Sequence, residues 1–66
     1  MERDENYPKL IRPEEVAAIL RLSKPRIYQL AEGGIIPSVK IGKSTRFLRE
    51  DVFEFIRLNR REKRGK

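Results

Sequence analysis

The stretch that leaves this chain least freedom is Leu22-Ser23-Lys24-Pro25-Arg26-Ile27-Tyr28-Gln29-Leu30-Ala31-Glu32-Gly33-Gly34. Ser23 can cap a helix whose first turn tolerates Pro25, because amide donors there have no intrahelical partner. Gly33-Gly34 stops the same helix, since glycine accepts the left-handed conformation common just past a helix end. The expectation is a short helix over 24–32. Ile27, Leu30 and Ala31 share its inner face. Pro25, Arg26 and Gln29 fall on the other side, with Lys24 at the tip and Tyr28 on the flank. So short a helix needs the rest of the chain as support.

That support must come from packing. The 66 residues include no cysteine and no histidine, which removes disulfides, thiol redox chemistry and a zinc site built from those ligands. One domain with a core of a handful of side chains is what this length allows. Apolar runs are short and nothing resembles a signal peptide or membrane span, so a cytoplasmic protein is expected.

In chain order, residues 1–9 read as a flexible N-terminal arm that Leu10-Ile11 could anchor to the core. Pro13-Glu14-Glu15 opens a helix, with proline at its first position and acids near its positive end. Val16, Ala17, Ile19 and Leu20 give it an inward face. Arg12 holds the N-cap position in place of the preferred Ser, Thr, Asp or Asn, which predicts a poorly fixed start. After the 24–32 helix, Ser38-Val39-Lys40-Ile41 and Thr45-Arg46-Phe47-Leu48 read as a hairpin around Gly42-Lys43-Ser44. Two strands alone are marginal, so Val39, Ile41 or Phe47 must pack on the helices. A third helix begins at about Glu50, with Val52, Phe55, Ile56 and Asn59 at helical spacing. Phe53 and Leu58 fall partly off that stripe, so the helix either buries a wide face or leaves an apolar patch for a neighbouring subunit.

Charge is distributed unevenly. The net charge is +6, but residues 1–22 carry −1, 23–49 carry +5, 50–56 carry −3 and 57–66 carry +5. A small domain with pI ≈ 10.2 points first to nucleic acid, because clustered Lys and Arg release the counterions condensed on a polyanion. A membrane surface or an acidic protein comes second, and a merely solubilising surface is the bland reading. Residues 60–66 are expected to be a basic C-terminal tail. Together with Arg57, its Arg60, Arg61, Lys63, Arg64 and Lys66 add nonspecific attraction to phosphate.

The order helix, turn, helix, hairpin, helix defines the expected fold class: mainly α with a small β-hairpin, a winged helix-turn-helix over residues 10–59. From Leu10 to Ile56 the chain resembles the excisionase family of DNA-binding proteins, related to the N-terminal domain of MerR-type regulators. The resemblance rests on Pro13-Glu14-Glu15-Val16-Ala17, on Leu22 to Leu30, and on Gly34-Ile35-Ile36-Pro37-Ser38-Val39-Lys40-Ile41-Gly42-Lys43. Arg46-Phe47 and Arg49-Glu50-Asp51-Val52 complete it, over about two-thirds of the chain. It implies sequence-specific binding of double-stranded DNA, with helix 24–32 in the major groove and the wing 38–48 on the minor groove or backbone. Members direct an integrase toward excision as recombination directionality factors on mobile elements, or act as small transcriptional regulators. Candidate protein partners are therefore an integrase or recombinase and further copies of the chain. The coiled-coil helix and effector domain of full MerR-type regulators are absent from this sequence, and no small-molecule ligand or cofactor is expected.

Arg26 and Gln29 are the first candidates for base contact, since Arg donates two hydrogen bonds to guanine and Gln pairs bidentately with adenine. Lys24 can reach a base or a phosphate, and Pro25 can meet only a thymine methyl. Ser23 is a structural cap that can also accept a place beside phosphate. Tyr28 divides between packed flank and phosphate donor. In the wing, Lys40, Lys43 and Ser44 suit phosphate or the minor groove. Arg46 either ties the hairpin to a neighbouring loop or helix end or clamps a phosphate. The bland alternative for all of these is a solvated surface.

Enzymatic function is the least expected class. The hydroxyls and scattered acids have no histidine partner, and the acids cluster where helix starts favour negative charge. Gly42-Lys43-Ser44 superficially matches a P-loop ending, but it lacks the upstream glycine and sits between strands. No catalytic or metal-binding residue is assigned. The alternative of another class is a protein-interaction adaptor for an integrase or other DNA-bound protein.

Overall fold

The structure is a computed structural model that describes residues 9–61. Its elements are β1 (Leu10–Ile11), α1 (Pro13–Leu20), α2 (Lys24–Glu32), β2 (Val39–Ile41), β3 (Ser44–Leu48) and α3 (Arg49–Leu58). The three strands form an antiparallel sheet in the order β1-β3-β2. The helix-turn-helix with its hairpin wing is therefore the expected one. The expected anchor at Leu10-Ile11 is a strand, paired Leu10 to Leu48 and Ile11 to Phe47. Lys9, assigned to the arm from sequence, is also fastened: its carbonyl accepts the Arg49 N–H at 2.9 Å. Residues 1–8 of the arm and 62–66 of the tail lie outside the described residues.

α1 begins better than its Arg12 cap suggested. A guanidinium has no acceptor to offer the helix amides, but the Glu15 carboxylate reaches back and accepts the Arg12 N–H at 2.7 Å. That is the half of a capping box that does not depend on the cap side chain. The turn to α2 passes through Arg21, which takes left-handed geometry (φ 59°). The Leu22 N–H then reaches back to the Ala17 carbonyl at 3.0 Å.

α2 ends in a Schellman arrangement, with the Ile35 N–H on the Leu30 carbonyl at 2.9 Å and the Gly34 N–H on the Ala31 carbonyl at 3.1 Å. The left-handed residue is Gly34 (φ 73°), whereas Gly33 stays right-handed (φ −81°). The two glycines that the sequence groups together thus have different reasons to be there. A Cβ on Gly33 would meet only the Gln29 carbonyl oxygen at 3.4 Å and Ile35 Cγ1 at 3.7 Å. Gly33→Ala should leave stability unchanged or raise it by up to about 1 kcal/mol. Gly34→Ala should cost about 1–2 kcal/mol, since a residue with a Cβ takes this φ only with strain. Chemical denaturation of the two variants checks both signs.

The core comprises Val16, Ile27, Leu30, Ile36, Phe47 and Val52, with Ile11, Ala17, Leu20, Ala31 and Phe55 packed around it. Ile36 is fully buried although it lies in the connection after α2 and belongs to no periodic stripe. Two residues assigned to helix inner faces, Ile19 and Ile56, are instead exposed, because eight- and ten-residue helices against so small a core bury only a narrow stripe. Of the three hairpin candidates, Phe47 fills the core. Register excludes Val39 and Ile41: they pair with Arg46 and Ser44, on the face opposite Phe47, and Ile41 is 55% exposed.

The hairpin loop is two residues, not three. Ser44 belongs to β3 and pairs with Ile41, leaving Gly42-Lys43 at the turn. Gly42 alone has positive φ (62°), the sign pattern of a type II′ turn, which matches the twist of its strands.

On α3, Phe53 and Leu58 are both exposed. Five residues apart, they lie about 140° from each other around the helix and do not form one patch. The Arg49 guanidinium covers the Phe53 ring at 5.5 Å from its centroid. Asn59, read from sequence as part of the inner stripe, is the C-cap, and its side-chain amide donates to the Phe55 carbonyl at 2.8 Å. Arg57 grips Glu54 through two bonds of 3.2 and 2.6 Å. The guanidinium lowers the Glu54 carboxyl below its ordinary range. This exposed pair adds little stability, and what it adds is present above the unfolded-state carboxyl pKa and fades as pH falls through the folded one. Its larger consequence is that Arg57 reaches the basic end of the chain with a carboxylate beside it.

Candidate nucleic-acid interface

α2 presents its outward face because Ile27 and Leu30 are pinned in the core. At its start, Ser23 Oγ accepts the Arg26 N–H at 3.3 Å, so the cap assigned to Ser23 is made. Lys24, Pro25, Arg26, Tyr28 and Gln29 are all exposed. Arg26 and Gln29, three apart and hence neighbours on the helix surface, are joined by an Arg26 Nη1 to Gln29 Oε1 hydrogen bond of 3.3 Å. The bond aligns the two side chains and leaves the guanidinium most of its five donors.

Between α2 and the wing runs an open groove. α2 contributes Tyr28 and Glu32, and the hairpin contributes Ser38, Lys40, Lys43 and Thr45. Strand register explains the wing's side: Lys40 pairs with Thr45, which shares the face of the sheet that carries Phe47 into the core. The groove is thus lined by three hydroxyls and two ammonium groups, a donor set suited to phosphate oxygens, together with a single carboxylate.

The candidate residues separate into three groups. Ser23, Lys24, Pro25, Arg26 and Gln29 belong to the first turns of α2. Tyr28, Lys40 and Lys43 are brought together in the groove. Ser44 and Arg46 lie apart, on the other face of the sheet with Ile41 and Val39. The half-buried Arg46 donates through Nη1 to the carbonyl of its own neighbour Thr45 at 2.8 Å, a local bond rather than a tie to another loop or helix end. Ser38, Thr45 and Glu32 were not among the candidates from sequence. Period-two alternation from Phe47 points Thr45 inward, but only the register shows that the inward side of the wing opens onto α2.

Two helices joined by a tight turn, with the second one's polar face beside a basic hairpin, make a winged helix-turn-helix. The family model described as a helix-turn-helix domain matches residues 10–60, and the chain belongs to that family. Two proteins from Mycobacterium tuberculosis (strains CDC 1551 / Oshkosh and H37Rv), both provisionally named as DNA-binding proteins, are 35% identical over 48 residues. These 48 residues are 73% of this chain, which spans 62% of the length of those relatives. An uncharacterized protein of Bacillus subtilis (strain 168), YvgK, is 36% identical over 42 residues, 64% of this chain and 14% of that protein. No solved structure matches.

Proposed function

We propose that this domain binds double-stranded DNA sequence-specifically, with α2 in the major groove and the β2–β3 wing on the adjacent backbone or minor groove. The observation that carries this reading is that α2 bears the exposed, hydrogen-bonded Arg26–Gln29 pair and also, through Tyr28 and Glu32, one wall of the hydroxyl and lysine groove. A major groove about 12 Å wide admits a helix, and the Arg and Gln side chains on its outward face match guanine and adenine edges. Lys40, Lys43, Ser38, Thr45 and Tyr28 then meet the phosphates that border the groove. The names of the mycobacterial relatives support the same reading.

Within DNA binding we favour the role of an excisionase, a recombination directionality factor acting with an integrase; the resemblance of Leu10 to Ile56 to that family supports it. A transcriptional regulator of the same fold is the other role. Footprinting on DNA flanking its own gene tests binding: a protected site is expected, and full cleavage throughout would overturn the proposal. Addition of the purified protein to an integrase reaction separates the two roles, since only a directionality factor drives excision.

Phosphate contact in the groove has its own signature. Lys43→Ala should weaken cognate and scrambled duplexes alike and reduce the slope of log affinity against log salt by about 1. Titration at several salt concentrations reads both effects.

A further inference from the structure

Glu32 is the residue the fold does not account for. It is the last residue of α2, where the exposed carbonyls disfavour negative charge. It is exposed and makes no hydrogen bond or ion pair among the described residues. The ammonium groups of its groove neighbours Lys40 and Lys43 both lie beyond 4 Å from its carboxylate, so it forms no ion pair with them. Every other polar group lining this groove can donate to an anion; Glu32 alone repels one.

We propose that Glu32 sets the selectivity of the interface by opposing phosphate in the α2–wing groove. The inference rests on the DNA-binding reading and adds a specificity-determining residue to it. Nonspecific complexes sample many registers of the duplex, held by phosphate attraction alone. In many of them a phosphate enters the groove near the carboxylate and is repelled. In the cognate register, Arg26 and Gln29 fix α2 on the bases, and the backbone settles on the wing wall of the groove, against Ser38, Lys40, Lys43 and Thr45, whereas Glu32 stands on the α2 wall. Glu32 thus penalises the wrong registers more than the right one, which widens the gap between them.

The test is titration of wild type, Glu32→Gln and Glu32→Lys against the footprinted duplex and a scrambled duplex of the same length and composition. Glu32→Gln should raise affinity for the scrambled duplex roughly three- to tenfold, the effect of one unit charge at partly screened range. The cognate duplex should change by less than half of that in logarithmic terms, so the specificity ratio falls, and Glu32→Lys should lower it further. Both variants remove an unfavourable charge from the end of a helix, so their thermal midpoints should equal or exceed that of wild type. Equal gains on both duplexes would overturn the proposal, as would no gain on the scrambled duplex or a loss on the cognate one. If wild type discriminates between the duplexes, the DNA-binding reading survives any of these results. Absence of binding by all three proteins would overturn both.

Discussion

Phe47→Ala should unfold the domain. Phe47 is fully buried and the largest of the fully buried side chains. It sits on β3, the central strand, directly opposite Ile11 of β1. Truncating a buried phenylalanine costs about 3–5 kcal/mol in lost burial and residual cavity. A domain this size has only roughly 3–10 kcal/mol to lose, and neither disulfide nor metal ligands of the Cys and His kind compensate. Circular dichroism should show loss of the helical signal at 25 °C or a midpoint lowered by tens of degrees. Phe47→Leu keeps most of the volume and should remain folded. A cooperative transition near the wild-type midpoint for Phe47→Ala would mean that the core is not centred on β3.

The second large effect is functional. Arg26→Ala should remove about 1–3 kcal/mol of discrimination between cognate and scrambled duplexes, roughly 5- to 150-fold. The fold should be untouched, because the helix cap uses the Arg26 backbone N–H and not its side chain. The side chain's hydrogen bond to Gln29 lies on the surface. Affinity measured on both duplexes separates this outcome from a phosphate contact. A base reader loses far more on the cognate sequence, whereas equal losses on both would assign Arg26 to the backbone.

Much of the fold was legible because its elements carry local punctuation. Ser23, Pro25 and Gly34 mark the ends of α2 by chemistry that acts within a few residues, and Pro13 with Glu14 and Glu15 does the same for α1. What stayed hidden depends on contacts distant in sequence. β1 is two residues long, too short for any periodic signal, and exists only because Leu48 and Phe47 are there to pair with it. Ile36 is buried by the elements around it and not by a pattern of its own. The face that Val39 and Ile41 occupy was undecidable until the hairpin loop was known to have two residues, because a one-residue change in loop length reverses every side chain. The site divides along the same line. The outward residues of α2 follow from helix geometry alone, while the groove with Thr45, Ser38 and Glu32 needs the register of the wing against the helix. Arg46 illustrates the converse: an arginine in a basic hairpin invites a phosphate, yet its neighbours in the sheet place it on the face away from the groove.

The exposed groups on α3 bear on partners. Phe53 and Leu58 do not make a joint docking surface, because helix geometry separates them and Arg49 covers part of the Phe53 ring. Arg57, paired with Glu54, contributes less to the basic end than the sequence total implies.

The most direct measurement is titration of the isotopically labelled domain with the footprinted duplex, followed by amide chemical shifts. Perturbations concentrated on residues 23–32 and 38–45, with the α3 surface around Phe53 and Leu58 unmoved, are the predicted result. Shifts confined to α3, with α2 and the wing silent, would contradict the account.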